Sequence, residues 1–323
     1  MNIATIGTSW ITDSFIKSSA YVGDVNISAV FSRDGERAAA FARKHGVEKH
    51  YSDLSEMLSD KETDGVYIAS PNALHFEQAE MCLECGKHVI CEKPMTVNSE
   101  QLEALYSIAE RRGLILLEAM KSMHSQGLNI IRENLSDLGE VHTASFDFSQ
   151  LSSKYPMLKR GELPNIFNPS LCAGALMDIG VYAVYLAVEL FGKPKNIISH
   201  SDFLGTGADY AGTLIFLYDN LTVTITYSKI ANGFSGGRIL GENGAVSVKS
   251  VSKLVGINRL YNDRSIKELY PEIDENIIMS GEIKAFRDFA AGLNSEYYDC
   301  CKQTAFTVCE LTEKIRQDNN FAF

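Results

Sequence analysis

The residues best suited to chemistry fall in two short segments. In the first, Glu92-Lys93-Pro94, a cation stands between a carboxylate and a proline. Proline disfavours helix at the residue before it, so Lys93 is expected in extended or turn geometry. An ammonium there can polarise a substrate hydroxyl, or lower the pKa of a neighbouring acid. Glu92 is expected to orient the turn or Lys93 rather than to react. The second segment is Gly174-Ala175-Leu176-Met177-Asp178-Ile179-Gly180-Val181-Tyr182, with a carboxylate and a phenol four residues apart. On a helix that spacing puts Asp178 and Tyr182 on one face, as a proton-handling pair requires. An unperturbed tyrosine titrates at roughly 10, so a basic role near neutrality needs a cation nearby, and Lys93 is the candidate. The plainer readings are a surface lysine, a core tyrosine and a helix-opening aspartate.

The elements that would position these residues are legible in outline. Apolar runs at 2–6, 25–31, 65–69, 88–91 and 114–117 read as strands. Between them lie helical stretches at 10–20, 35–45, 54–60, 73–86 and 98–112. Gly113 fits the C′ position of the last helix. Near-continuous apolar strands alternating with helices predict a doubly wound parallel α/β sheet, a Rossmann-type domain over residues 1–120. The pattern then changes. A helix at 124–135, a strand at 139–149, a loop-rich stretch at 150–171 and a helix ending at Phe191 lead into a strand-rich region from 195 to 270. Residues 221–229 alternate strictly, with Leu221, Val223, Ile225 and Tyr227 on one face, the mark of a half-buried antiparallel strand. Two helices, 281–293 and 300–317, close the chain. The expectation is a second, α+β domain over 121–323 with an open, largely antiparallel mixed sheet.

This frame puts Gly7-Thr8-Ser9-Trp10-Ile11-Thr12 between the first strand and first helix, where a Rossmann fold holds a dinucleotide's pyrophosphate on backbone N–H groups. The fingerprint is degenerate, with Ser9 and Thr12 in place of its second and third glycines. The second strand ends in Ser32-Arg33, where NAD sites usually carry an acid for the ribose hydroxyls. Arginine with a hydroxyl beside it suits a 2′-phosphate instead, so NADP is expected over NAD, with NAD possible.

Ser70-Pro71-Asn72 with His75 follows the third apolar strand. In chain order with Glu92-Lys93-Pro94 and the Gly174–Tyr182 segment, it resembles the glucose–fructose oxidoreductase / inositol dehydrogenase / MocA (Gfo/Idh/MocA) family. The resemblance spans nearly the whole chain. It implies hydride transfer between NADP(H) and a secondary alcohol or carbonyl of a sugar, polyol or diol. Lys93 would polarise the substrate, Asp178 would assist, and Tyr182 would donate or accept the proton. Many relatives carry histidine at the last position; tyrosine resembles the dihydrodiol dehydrogenase branch. The loop with Ser70, Asn72 and His75 is then expected beside the nicotinamide. Glu118, in Glu118-Ala119, would help to position the cofactor. Lys121, His124 and the 164–171 segment with Asn168 are candidates for the substrate side. The family often forms dimers or tetramers, so a homodimer or homotetramer through the second sheet is expected.

Composition bounds the alternatives. The chain has 323 residues, 45% hydrophobic and 22% charged, with a net charge of −11. Such an acidic chain offers no basic footprint for nucleic acid or an anionic membrane. The N-terminus lacks a signal-peptide pattern, and no apolar run is expected to approach the roughly 18 residues of a membrane span, so a cytoplasmic location is expected. Seven cysteines, an odd number, argue against a disulfide framework, and Cys82-x-x-Cys85 has no second ligand pair at a zinc-like spacing. The seven histidines show no metal-binding spacing, so no metal is expected. Two rival functions remain open: a cofactor-binding sensor without catalysis, which Ser9 in place of glycine would suit, and an enzyme that never releases its NADP.

Overall fold

The computed structural model describes residues 1–323. The chain forms two compact units, Met1–Met120 with Glu275–Phe306, and Lys121–Asp274 with Thr307–Phe323. A single break near residue 120 thus omits the return of residues 275–306 to the first unit. No local sequence feature marks that return.

The first unit runs β1 (Asn2–Ile6), α1 (Trp10–Ser19), β2 (Asn26–Phe31), α2 (Gly35–His45), β3 (Lys49–Tyr51), α3 (Leu54–Leu58), β4 (Gly65–Ile68), α4 (His75–Glu84), β5 (His88–Glu92), α5 (Ser99–Arg112) and β6 (Leu116–Ala119). All its strands are parallel, in the order β3-β2-β1-β4-β5-β6. The order reverses between β1 and β4, the switch point at which open α/β sheets bind ligands beyond their strand ends. Strands β1 and β4 are buried on both sides, which is why they read as unbroken apolar runs. Phe15 of α1 stacks on Tyr67 of β4, ring centroids 3.7 Å apart and 8° from parallel. This ties the first helix to the switch point. Asn98 caps α5 by accepting from Gln101 N, and Gly113 closes it in the left-handed conformation, as expected. The short strand β3 was not expected, because Lys49-His50-Tyr51 has no apolar run. Glu118 and Ala119 lie within β6 rather than after it.

In the second unit, α6 (Gln126–Leu135) precedes β7 (Val141–Ser149), and the short α7 (Tyr155–Lys159) precedes α8 (Val181–Phe191). Then come β8 (Asn196–Phe203), β9 (Asp209–Leu217), β10 (Thr222–Ser228), β11 (Gly237–Gly241), β12 (Gly244–Ser250), β13 (Val255–Leu260) and β14 (Ile266–Tyr270). Their order is β14-β13-β12-β11-β7-β10-β9-β8. The sheet is antiparallel except for the β7–β10 pair, which is parallel. Alternation along 221–229 does fix the faces: Val223, Ile225 and Tyr227 are buried. It says nothing of strand direction, so the parallel partner β7 came as a finding. The closing helices are α9 (Glu275–Ala290) and α10 (Ser295–Asp318), each starting several residues earlier than expected. Three consecutive apolar residues, Ile277 to Met279, mask the amphipathic start of α9.

One expectation is corrected outright. Pro169–Phe191 is long and apolar enough to cross a membrane by length and composition alone. Within the fold 72% of that apolar window is buried, and α8 packs against β7 and β10 of its own unit. A helix apolar all round is what a core position demands.

Candidate active site

The nucleotide end is built on β1, α1 and β4. Gly7 has φ +108°, and a Cβ there would lie 2.6 Å from the Ala69 carbonyl oxygen. Glycine is therefore required twice, by backbone conformation and by the approach of the β1 loop to the β4 loop. Ser9 is different. Its φ of −85° and ψ of 176° suit any residue, so the backbone conformation itself does not call for glycine here. Ser9 and Trp10 are exposed, and Ser9 makes no side-chain capping bond to α1. The first-turn N–H groups of α1 are thus left for an external anion. Beneath them Thr12 is fully buried, and its Oγ1 has no hydrogen-bond partner within the protein. Thr8 and Ile11 are half-buried on either side of this turn. These features fit a dinucleotide phosphate.

At the end of β2, Ser32 is half-buried and Arg33 exposed. Asp34 could have served ribose hydroxyls, but its carboxylate caps α2 by accepting from Arg37 N at 3.1 Å. Ser32 Oγ accepts from Asp34 N at 3.3 Å. The only acid at the strand end is committed to its own helix, which leaves Arg33 facing solvent.

The Lys93 loop is held by its neighbours. Lys93 is half-buried, and its bond to Pro94 is cis, a feature the sequence does not announce. Glu92 accepts from Tyr67 Oη at 2.6 Å, and Met95 N donates to Glu118 Oε1 at 2.8 Å. Glu118 therefore holds the loop's backbone, and Glu92, at the end of β5, is tied to β4 through Tyr67. His75, expected beside the cofactor, is buried, and both its ring nitrogens are engaged. Nδ1 lies 2.8 Å from Pro94 O and Nε2 2.8 Å from Ser70 O. The imidazole clamps the Ser70 loop to the Lys93 loop. A neutral ring donates from only one nitrogen, so two carbonyl partners favour the charged form. Burial acts against them and pushes the pKa down. Ser70 Oγ donates to Gln78 Oε1 at 2.6 Å, and Asn72 opens a short 3-10 turn before α4.

In the second unit Asp178 sits in a five-residue π-helix, Leu176–Gly180, and Tyr182 in the first turn of α8. The wider π-turn alters the one-face relation that a regular α-helix would give the pair, and such turns recur at functional sites. Two glycines of the motif have structural causes. A Cβ on Gly180 would lie 3.0 Å from the Tyr227 ring, and one on Gly174 would lie 1.9 Å from Asp209 Oδ1. Tyr182 is half-buried and meets Phe148 edge-on, with centroids 5.6 Å apart. Asp178 is ion-paired with Lys229, a buried residue that no sequence feature singles out. Asp209 is fully buried, and its Oδ2 accepts from Leu176 N at 2.7 Å. Burial raises Asp209 to about 7, although the Leu176 and Ala175 N–H groups and the Lys229 cation pull it back. Asp209 thus caps, from β9, a helix start that has no local side-chain cap.

The substrate-side candidates differ in setting. Lys121 is buried and His124 half-buried within one 3-10 turn, and burial pushes His124 down to about 4. Asn168 Oδ1 accepts from Ser170 N and Ser170 Oγ, so this side chain shapes its own turn. Glu140, His142 and Glu242 gather on the surface, a grouping invisible in sequence because it joins two strand ends. Glu140 N already donates to Glu242 and Asn220 to Glu140. All seven cysteines are free thiols.

Comparison with known proteins accords with these arrangements. Residues 1–120 match the model of an oxidoreductase family with an NAD-binding Rossmann fold, Gfo/Idh/MocA. Residues 134–247 match the Gfo/Idh/MocA C-terminal domain. The chain is 39% identical to an NADP+-dependent scyllo-inositol 2-dehydrogenase of Bacillus subtilis (strain 168) over 83% of this chain and 82% of that one. It is 29% identical to a trans-1,2-dihydrobenzene-1,2-diol dehydrogenase of Xenopus tropicalis over 70% of this chain and 68% of that one. A 3-ketoreductase from Actinomadura kijaniata, solved with NADP, shares the fold with a TM-score of 0.84 at 20% identity, covering 98% of this chain and 97% of its own. By family model and by relatedness along most of its length, this chain belongs to the Gfo/Idh/MocA oxidoreductases.

Proposed function

We propose that the protein transfers a hydride between NADP(H) and a secondary alcohol or carbonyl of a polyol or sugar-like substrate. The observation that carries the reading is the meeting of three strand-end loops at the switch point of the first sheet. Gly7 abuts Ala69, and His75 binds the Ser70 loop to the loop that carries Lys93. The pyrophosphate would rest on Gly7-Thr8-Ser9 and the start of α1, with the Thr12 hydroxyl beneath. Ser32 and Arg33 would take the 2′-phosphate. The committed Asp34 supports NADP over NAD, as does the NADP+ dependence of the related inositol dehydrogenase.

When bound, the nicotinamide supplies the hydride donor or acceptor. In the direction of oxidation Tyr182, entering the step as the phenolate, accepts the substrate's hydroxyl proton at Oη as the C–O bond gains carbonyl character. In reduction Tyr182 Oη–H returns it. Lys93 stabilises negative charge on the substrate oxygen, a fixed charge that needs no reorganisation during reaction. Asp178 supports this set, and Glu92, Glu118 and His75 hold the loops that deliver it.

The test is a panel of scyllo-inositol, other polyols, aldoses and vicinal diols with NADP+ and NAD+, followed by nicotinamide absorbance. NADP+-dependent oxidation of at least one polyol is expected. No turnover with any of them, in either direction, would overturn the reading. The same proposal extends to assembly. The open face of the second sheet carries Thr222, Thr224, Thr226 and Ser228, and pairing of two copies through it would give a partly polar homodimer or homotetramer. Light scattering reads the mass directly. A cytoplasmic location is also proposed, which seven free thiols suit.

A further inference from the structure

Lys229 follows β10 directly and is only 4% exposed. Its backbone is fixed on both sides: Lys229 N donates to Tyr210 O at 2.8 Å, and Ser152 N donates to Lys229 O at 2.9 Å. The ammonium is therefore placed by two strands and a loop, and it meets Asp178 Oδ2. A buried ammonium persists only where partners replace its lost hydration. The sheet supplies a second carboxyl group in the same unit. Asp209 is held by Leu176 N, two residues before Asp178, and its Oδ1 has no hydrogen-bond partner. Gly174 makes the room Asp209 needs. One cation and one carboxyl from the sheet thus fix both the start of the π-helix and the aspartate within it.

We propose that Lys229 is a positioning residue of the reaction, whose buried ammonium holds Asp178 as a carboxylate in one orientation. Asp178 then acts as a fixed negative charge and hydrogen-bond acceptor four residues before Tyr182, and Tyr182 alone carries the proton. Asp209 anchors the backbone that bears Asp178. This inference rests on the oxidoreductase reading above, and it adds a residue absent from both chemical motifs.

A double-mutant cycle tests it with Lys229→Met, Asp178→Asn and the two combined, measured with NADP+ and the best polyol of the panel. Lys229→Met should lower kcat by about thirtyfold or more and leave the KM for NADP+ within about threefold. Lys229→Arg, which keeps the charge, should recover most of the loss. The double variant should be no slower than Asp178→Asn alone, because a residue acting through Asp178 has nothing left to act on. Losses that multiply in the double variant would overturn the proposal. If Lys229→Met alone does not fold, Asp178→Asn against the double variant still decides, since that background has no carboxylate at 178 to lose its partner. Melting temperatures of the same four proteins read the ion pair without any substrate. The two single changes should couple, and strict additivity would refute the pair itself. Absence of wild-type turnover with coupling intact would count against the functional reading and not against the pair.

Discussion

Replacing Asp209 with asparagine should remove a pH dependence of stability that the wild-type protein carries. Asp209 titrates at about 7 in the fold, against 3.8 for an unperturbed aspartate, chiefly because burial penalises its charge. Above 3.8 the unfolded chain loses this proton, while the folded protein keeps it until about 7. Stability from this group is therefore greatest at low pH, falls as pH rises through that window, and levels off above it. At about 1.4 kcal/mol per unit, the span from about pH 5 to 8 costs the wild type roughly 2–3 kcal/mol. Asparagine fills the same volume, still accepts from Leu176 N and cannot ionise. Asp209→Asn should match the wild type near pH 5 and exceed it near pH 8, by roughly 5–10 °C in melting temperature. Histidines whose pKa burial lowers, His45, His75, His88 and His124, act in the opposite sense as pH falls. Both proteins contain them, so they cancel in the difference. Parallel melting profiles from pH 5 to 8 would refute the buried, uncharged state assigned to Asp209.

Three further outcomes are expected. Arg33→Ala should weaken NADPH by roughly tenfold to a hundredfold, the worth of one or two charge-assisted bonds of about 1.5–3 kcal/mol, and leave NADH within about twofold; fluorescence titration with both cofactors checks this. His75→Phe should strand the carbonyl that the ring's single N–H satisfies, cost about 1–3 kcal/mol in urea melts, and raise the KM for NADP+ as the Lys93 loop loosens. Gly174→Ala places a methyl group against Asp209 Oδ1 and should lower kcat more than it changes NADPH affinity, measured by steady-state rates and titration.

Local features were legible and distant ones were not. Strand–turn–helix order around Gly7, the Gly113 stop and the alternation of 222–228 all arise from neighbouring residues, and the fold follows them. Lys93, Asp178 and Tyr182 were legible as types at characteristic spacings. Their partners were not. Lys229 lies 51 positions from Asp178, and Asp209 lies 33 from Leu176, so only the sheet's pairing brings them together. His75 is expected beside the nicotinamide, yet its ring nitrogens face the Pro94 and Ser70 carbonyls 19 and 5 positions away. Pro169–Phe191 shows the converse: an apolar stretch whose meaning depends on what packs against it.

The central claim, that Tyr182 moves the proton while Lys93 polarises the substrate oxygen, is tested most directly by steady-state kinetics. Tyr182→Phe and Lys93→Met are to be compared with wild type in NADP+-dependent polyol oxidation, with NADPH affinity measured alongside. Each change should lower kcat by about a hundredfold or more, the usual worth of a placed proton or charge, and leave NADPH binding within about threefold. Near-wild-type turnover in both variants would contradict the account.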